Sequence, residues 1–183
     1  MDVFECIKKR RSIRSYKRDP VSDEDLKKIL EAGIWAPSAG NRQSWEFIIV
    51  RDRQRKIDLS YAAYEQDFIM RAGTVIVVCA NTERSARRYG NRGRTLYAIQ
   101  DATIATQNML LAATALGYGT CWVGAFNEEQ VKKILKIPEG IRPIAIVPVG
   151  IPNESPEPPP RTPIEVVTHV EQFGNRMKDL KEE

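Results

Sequence analysis

The sequence predicts one domain in which α-helices alternate with short β-strands, and three observations carry that prediction. Apolar residues recur at helical spacing in several stretches, above all Leu96, Ile99, Ile104, Met109, Leu110, Leu111 and Leu116. Between such stretches lie apolar runs of strand length at 47–50, 75–80 and 144–149, rich in valine and isoleucine. The chain has 183 residues, 42% hydrophobic and 28% charged, which suits one domain spanning 1–183 with a sizeable core and excludes a disordered or fibrous protein. No stretch nears the roughly 20 apolar residues of a membrane span.

Residues 2–10 read as a short helix with Val3, Phe4 and Ile7 on one face. It leads into Arg10, Arg11, Ser12, Ile13 and Arg14. If that run is extended, alternation puts Arg10, Ser12 and Arg14 on one face and Arg11 and Ile13 on the other, where Ile13 anchors it in the core. A second helix begins at a capping box, Ser22 with Asp25, repeats Leu26, Ile29, Leu30 and Ile34, and stops before Pro37. Next come small and amide residues from Ala36 to Trp45, a loop that feeds strand 47–50. Residues 53–71 read as one helix striped by Ile57, Tyr61, Tyr64 and Phe68, and 75–80 as a central strand buried on both faces.

Arg84, Arg87, Arg88, Arg92 and Arg94, interrupted by Gly90 and Gly93, predict a mobile basic loop over 81–94. The helix over 95–116 carries no charge from Ala102 to Leu116, so it belongs in the core or in a subunit interface, and Gly117 stops it. The following Gly117-Tyr118-Gly119 run lacks the third glycine of a dinucleotide fingerprint and follows a helix, which excludes a Rossmann site. Asn127 caps a helix faced by Val131, Ile134 and Leu135 and ended by Pro138. Pro148 places the end of strand 144–149 away from the sheet centre. Six of the eleven prolines fall between 152 and 163, predicting a stiff extended arm that holds Arg161. The segment 164–183, with Ile164, Val166, Val167, Val170 and Phe173, is apolar enough to pack on the domain or on a partner subunit, while its end frays from Lys178.

Arginine suits phosphate recognition, because its planar fork matches two oxygens at once and keeps its charge. The run at 10–14 therefore reads as a grip on the phosphate of a bound ligand. The same residues, with Lys8, Lys9, Lys17 and Arg18, also read as solvated surface or as a patch for nucleic acid or membrane. A net charge of +4 favours anionic partners without choosing among them. Helix-turn-helix, zinc-finger and aromatic RNA-binding patterns are missing, which makes nucleic acid the second hypothesis. Cys6, Cys79 and Cys121 are too few and too scattered for a disulfide framework or a zinc site, and read as buried free thiols. His169, the only histidine, has no nucleophile-elbow pattern beside it and reads as structural or exposed. With neither metal ligands nor an acid–base pair, a bound cofactor is the expected source of chemistry. The acidic start, Met1 to Cys6, lacks the basic and apolar regions of a secretory signal, so the expected location is the cytoplasm.

Four segments in order resemble the nitroreductase family: Arg10 to Arg14 with Tyr16, Ala36-Pro37-Ser38-Ala39 to Trp45, Gly119-Thr120-Cys121-Trp122-Val123-Gly124, and Pro160-Arg161-Thr162-Pro163. The resemblance implies an α+β three-layer sandwich, a mainly antiparallel sheet between helices, with the C-terminal arm crossing to the partner of a homodimer. It further implies FMN as cofactor, NADH or NADPH as co-substrate and a nitroaromatic, quinone or similar acceptor. On the same basis Arg10, Arg11, Ser12 and Arg161 hold the phosphate and ribityl end, Arg14 sits by the pyrimidine edge, and Val123 and Gly124 present backbone near flavin N5. Pro37, Ser38, Ala39, Asn41 and Gln43 come from the other subunit. No side chain need serve as a catalytic base. The family usually has proline where this chain has Ser44, a change expected to cost rigidity. The fold also hosts enone reduction, dehalogenation and flavin degradation, and a flavin-storage role stays open beside them.

Overall fold

Four antiparallel strands separate two apolar layers in the computed structural model, which describes residues 1–177. They are β1 (Trp45–Val50), β2 (Thr74–Asn81), β3 (Gly119–Thr120) and β4 (Ile141–Gly150), in the spatial order β1-β2-β4-β3. Residues 75–80 of β2 are all buried, so side chains of both parities meet apolar neighbours. Val75, Val77 and Cys79 face Leu59, Ala62, Ile69 and Val131, whereas Ile76, Val78 and Ala80 face Leu26, Ile29, Met109 and Ala113. The first set comes from α3 (Arg53–Ala62), α4 (Phe68–Arg71) and α7 (Glu128–Leu135); the second comes from α2 (Asp23–Ile34) and α6 (Ala98–Ala115). The result is the expected α+β sandwich of three layers.

Helix starts follow the predicted caps. Ser22 Oγ accepts from Asp25 N at 3.1 Å and Asn127 Oδ1 from Gln130 N at 3.0 Å. Lys136, in the left-handed region, ends α7 two residues before Pro138.

Several expectations are corrected. Residues 53–71 form two helices, not one, because Tyr64 and Glu65 adopt φ of 58° and 61° and Gln66 Nε2 ties the turn to Ala63 O at 2.8 Å. Tyr61 and Tyr64 are exposed, and the small residues Ala62 and Ala63 pack inward instead. The 81–94 segment is no mobile loop but α5 (Thr82–Arg92), kinked at Gly90 and joined to α6 by a π-turn at Gly93–Tyr97. Asn81 caps it, Arg84 pairs with Glu46, and Arg94 grips Glu83 through two bonds of 2.9 Å. Pro148 is buried inside β4, opposite Val75. Its carbonyl faces Tyr16 Oη on the edge away from β2, so its missing N–H falls beyond the short reach of β3, which pairs only with Val149 and Gly150.

Two apolar segments lie outside this core. In α1 (Val3–Lys9) the expected inner face is exposed, with Phe4 at 73%, and Cys6 is the buried residue. The arm over 153–163 is extended, and beyond it α8 (Ile164–Val167) leaves Ile164, Val166, Val167, Val170 and Phe173 exposed, so the tail does not pack on its own domain. His169, expected to be structural or exposed, is half-buried, accepts from Gly174 N at 2.9 Å and stacks on Phe173. The fraying expected from Lys178 concerns residues outside the described ones. Among the described residues, no helix is long and apolar enough to cross a membrane, and no His, Cys, Asp and Glu group is arranged to hold a metal.

Candidate functional site

The arginine run is positioned by its backbone. Arg10 closes α1 by donating to Cys6 O at 3.0 Å, and Ser12 then forms a parallel bridge with Thr120 of β3, Ile13 N donating to Thr120 O at 2.8 Å. A Cβ on Gly119 would stand 2.8 Å from the Ile13 side chain, so this close approach needs glycine. Tyr16 bridges to Pro152, and Glu154 accepts from the amides of Arg14 and Ser15. These contacts staple the proline arm alongside the run. Arg10, Arg11, Ser12 and Arg14 consequently meet Pro156, Glu157, Pro159 and Arg161 around a cleft of about 380 Å³.

Arg11 departs from the expected alternation, since it borders this cleft as well as the opposite side next to Ile13. One bridge is too little to impose a regular pleat. Its Nη1 donates to Lys8 O at 2.6 Å and Arg10 O at 2.9 Å, and its buried Nε has no partner among the described residues. The Arg14 guanidinium lies 5.9 Å above the Phe68 ring. All three cysteines are buried and free, as expected. Burial pushes the Cys121 thiol up, against the opposing pull of Arg14, a Ser12 hydrogen bond and Arg10. Downstream, Val123 exchanges two backbone bonds with Ile146, of 3.0 and 2.9 Å, fixing the chain just before exposed Gly124.

Pro37, Ser38 and Ala39 border a different cleft of about 540 Å³, completed by Tyr97, Gln100, Asp101, Thr103 and Ile104. Within this loop Gly40, Asn41 and Gln43 have φ of 52°, 54° and 51°. Side chains hold that unusual path. Asp101 Oδ1 accepts from Ala39 N at 3.0 Å, Ser38 Oγ accepts from Gln43 N at 2.9 Å, and Arg84 Nη1 donates to Gln43 O at 2.7 Å. Asp101 is only 2% exposed, and its Oδ2 has no partner among the described residues. Ser44 is buried too; its carbonyl accepts from Asn81 N at 3.0 Å while its hydroxyl has no such partner.

One chain therefore brings Arg10, Arg11, Ser12, Arg14 and Arg161 together and keeps Pro37, Ser38 and Ala39 in a separate cleft, with no lining residue in common. Glu154, Tyr97 and Asp101 were not anticipated, and Arg84 was expected only as part of a basic loop. Asp101 alone had left a signal, as the single charge in the apolar stretch 95–116.

Comparison with known proteins gives a consistent result. A family model described as Nitroreductase family matches residues 7–65 and 53–151. A provisionally named NADH dehydrogenase/NAD(P)H nitroreductase from Archaeoglobus fulgidus is 41% identical over 157 residues, covering 82% of this chain and 87% of that protein. An FMN reductase [NAD(P)H] from Bacillus subtilis is 31% identical, over 96% of this chain and 76% of its own. The structure of the NADPH:FMN oxidoreductase from Vibrio harveyi complexed with NAD+ superposes with a TM-score of 0.86 at 30% identity, covering 93% of this chain and 77% of that one.

Proposed function

We propose that this chain, which belongs to the nitroreductase family, is a cytoplasmic NAD(P)H-dependent FMN oxidoreductase that works as a homodimer and reduces a nitroaromatic, quinone or similar acceptor. The observation that carries the reading is the convergence of four arginines and a serine on one cleft of about 380 Å³. That donor set fits FMN. Paired guanidinium donors match phosphate oxygens, and the buried Arg11 Nε has no acceptor among the described residues.

FMN bound here would supply the hydride chemistry between the nicotinamide donor and the acceptor. Arg10, Arg11, Ser12 and Arg161 bind the phosphate and ribityl end. Arg14 would stand at the pyrimidine edge, where its fixed charge would favour the reduced, more negative ring. Val123 and Gly124 would present their backbone beside N5, on a segment that the Val123–Ile146 bonds tie to β4. Pro37, Ser38, Ala39, Asn41 and Gln43 of the second subunit complete the site, which explains why one chain separates the two sets of residues. The exposed apolar faces of α1 and of the tail are the surfaces that the second copy covers. Protons come from water, and no side chain has to act as a base.

The test is visible absorption. Purified protein incubated with FMN and desalted should retain flavin bands that bleach on anaerobic titration with NADH or NADPH. Flavin that washes away would sink the assignment of the arginine cleft.

A further inference from the structure

We infer that Arg88 and Arg92, with Tyr89 and Tyr97, form an anion subsite at the second cleft that selects flat, ring-bearing substrates carrying a phosphate or carboxylate. This rests on the flavin-site reading above, which puts the Pro37–Ala39 cleft at the partner's flavin.

α5 and the π-turn after it carry five arginines, and they are not equivalent. Arg84 is spent on Glu46 and on the carbonyl of Gln43, and Arg94 on both oxygens of Glu83. Arg87 lies close enough to Glu83 to help lower its carboxyl, after the larger effect of Arg94. Arg88 and Arg92 are exposed and have no carboxylate partner among the described residues. Both are instead held by aromatic rings. The Arg88 guanidinium lies 5.5 Å from the Tyr89 centroid, and Arg92 lies 5.3 Å from that of Tyr97 while its Nε donates to Tyr97 Oη at 2.9 Å. The two rings meet edge to face at 5.1 Å, which joins the pairs into one unit.

That unit reaches the cleft through Tyr97 alone and packs on Gly40, the residue after the lining Ala39. At the loop, a Cβ added to Gly40 would fall 3.2 Å from Arg88 Nη1 and against the Tyr89 hydroxyl, so the residue after Ser38 and Ala39 packs directly on this cation. An uncommitted guanidinium held against an aromatic ring has already lost part of its rotamer freedom, and it keeps donors free for an anion. The remaining wall offers flat and short groups, Pro37, Gln100 and Thr103, beside the ring of Tyr97, together with Ile104 and the buried Asp101, whose carboxylate accepts from Ala39 N. Such a wall accepts a planar ring and leaves its charged substituent to the arginines. The anion has two sources, the phosphates of the nicotinamide donor or a carboxylate on the aromatic acceptor.

The experiment compares wild type with Arg88→Gln, Arg92→Gln and the double variant, each loaded with FMN. In the donor arm NADPH and NADH are set against the neutral 1-benzyl-1,4-dihydronicotinamide; in the acceptor arm 4-nitrobenzoate is set against nitrobenzene. The expected result is that the double variant lowers the charged-to-neutral ratio of kcat/KM about tenfold in at least one arm, mainly through KM. Arg87→Gln, whose side chain is drawn to Glu83, should leave that ratio unchanged. Ratios unchanged in both arms, with flavin absorbance retained, would overturn the subsite alone. Wild-type protein that keeps no flavin would overturn the cleft assignment on which it rests. If the variants do not fold, wild-type salt dependence decides. KM for the charged substrates should rise between 0.1 and 0.5 M salt while that for the neutral ones stays flat, and a flat response for both rejects the subsite.

Discussion

The two clefts are built in opposite ways. Around the arginine cleft, backbone bonds to Thr120 and Ile151 and the stapled proline arm set the shape; Arg11 is tied to Lys8 O and Arg10 O, while the guanidinium groups of Arg10 and Arg14 make no hydrogen bond among the described residues. Around the second cleft the backbone itself is unusual, with three left-handed residues in four, and side chains from α5 and α6 hold it in place. In the first, charge is separable from architecture. In the second, a single side chain such as Asp101 is part of the architecture.

That contrast can be broken most sharply at Arg10 and Arg14. Replacing both with alanine should weaken FMN binding about 100-fold, as expected for two lost charge-assisted contacts, while the flavin-free melting temperature moves by less than about 2 °C. Fluorescence titration and a thermal scan read the two effects, and a large fall in melting temperature would mean that the charges also hold the fold. In the second cleft the reverse is expected. Asp101→Leu leaves the Ala39 N–H without its acceptor and should cost about 1–3 kcal/mol in urea unfolding, whereas Asp101→Asn, which keeps an acceptor oxygen, should lose less than half as much. Equal losses would refute the bracing role.

Gly119→Ala probes the backbone side of the comparison, since its methyl group would meet Ile13 at 2.8 Å. Its cost of about 1–2 kcal/mol should come with weaker FMN binding, because the run carrying Arg10 and Arg14 is displaced. The smallest effect belongs to a pair outside both clefts. Arg142 grips Glu128 with bonds of 2.9 and 2.7 Å and holds its carboxyl below the ordinary 4.5. A depressed carboxyl stabilises the fold above its ordinary value and loses that contribution as pH falls through the lowered one. Glu128→Gln should therefore lower the melting temperature by at most about 2 °C at pH 7, and the difference from wild type should shrink as the pH falls below the ordinary 4.5 and vanish once it has passed the lowered value.

The same contrast explains what the sequence made legible. A β-branched run such as 75–80 declares a doubly buried strand, and a cap such as Ser22 declares a helix start, because both signals are local. The arginine run was readable for the same reason. Long-range bracing leaves no such trace; the Asp101 bond to Ala39 spans 62 positions and the Arg84 bond to Gln43 spans 41. The glycines at 90 and 93 suggested a loop where ion pairs to Glu46 and Glu83 order a helix. The aromatic spacing at 61 and 64 imitated a buried stripe although alanines fill the core there.

The tail has a further consequence. Phe173 is 92% exposed, and α8 is only four residues long, too short to persist without packing. A single subunit thus presents a sticky, cleavable strip, which the second subunit of the proposed homodimer would hide. Limited digestion should clip near residue 170 readily in dilute protein and slowly at high concentration, so that the lifetime of the polypeptide depends on how much of it is present.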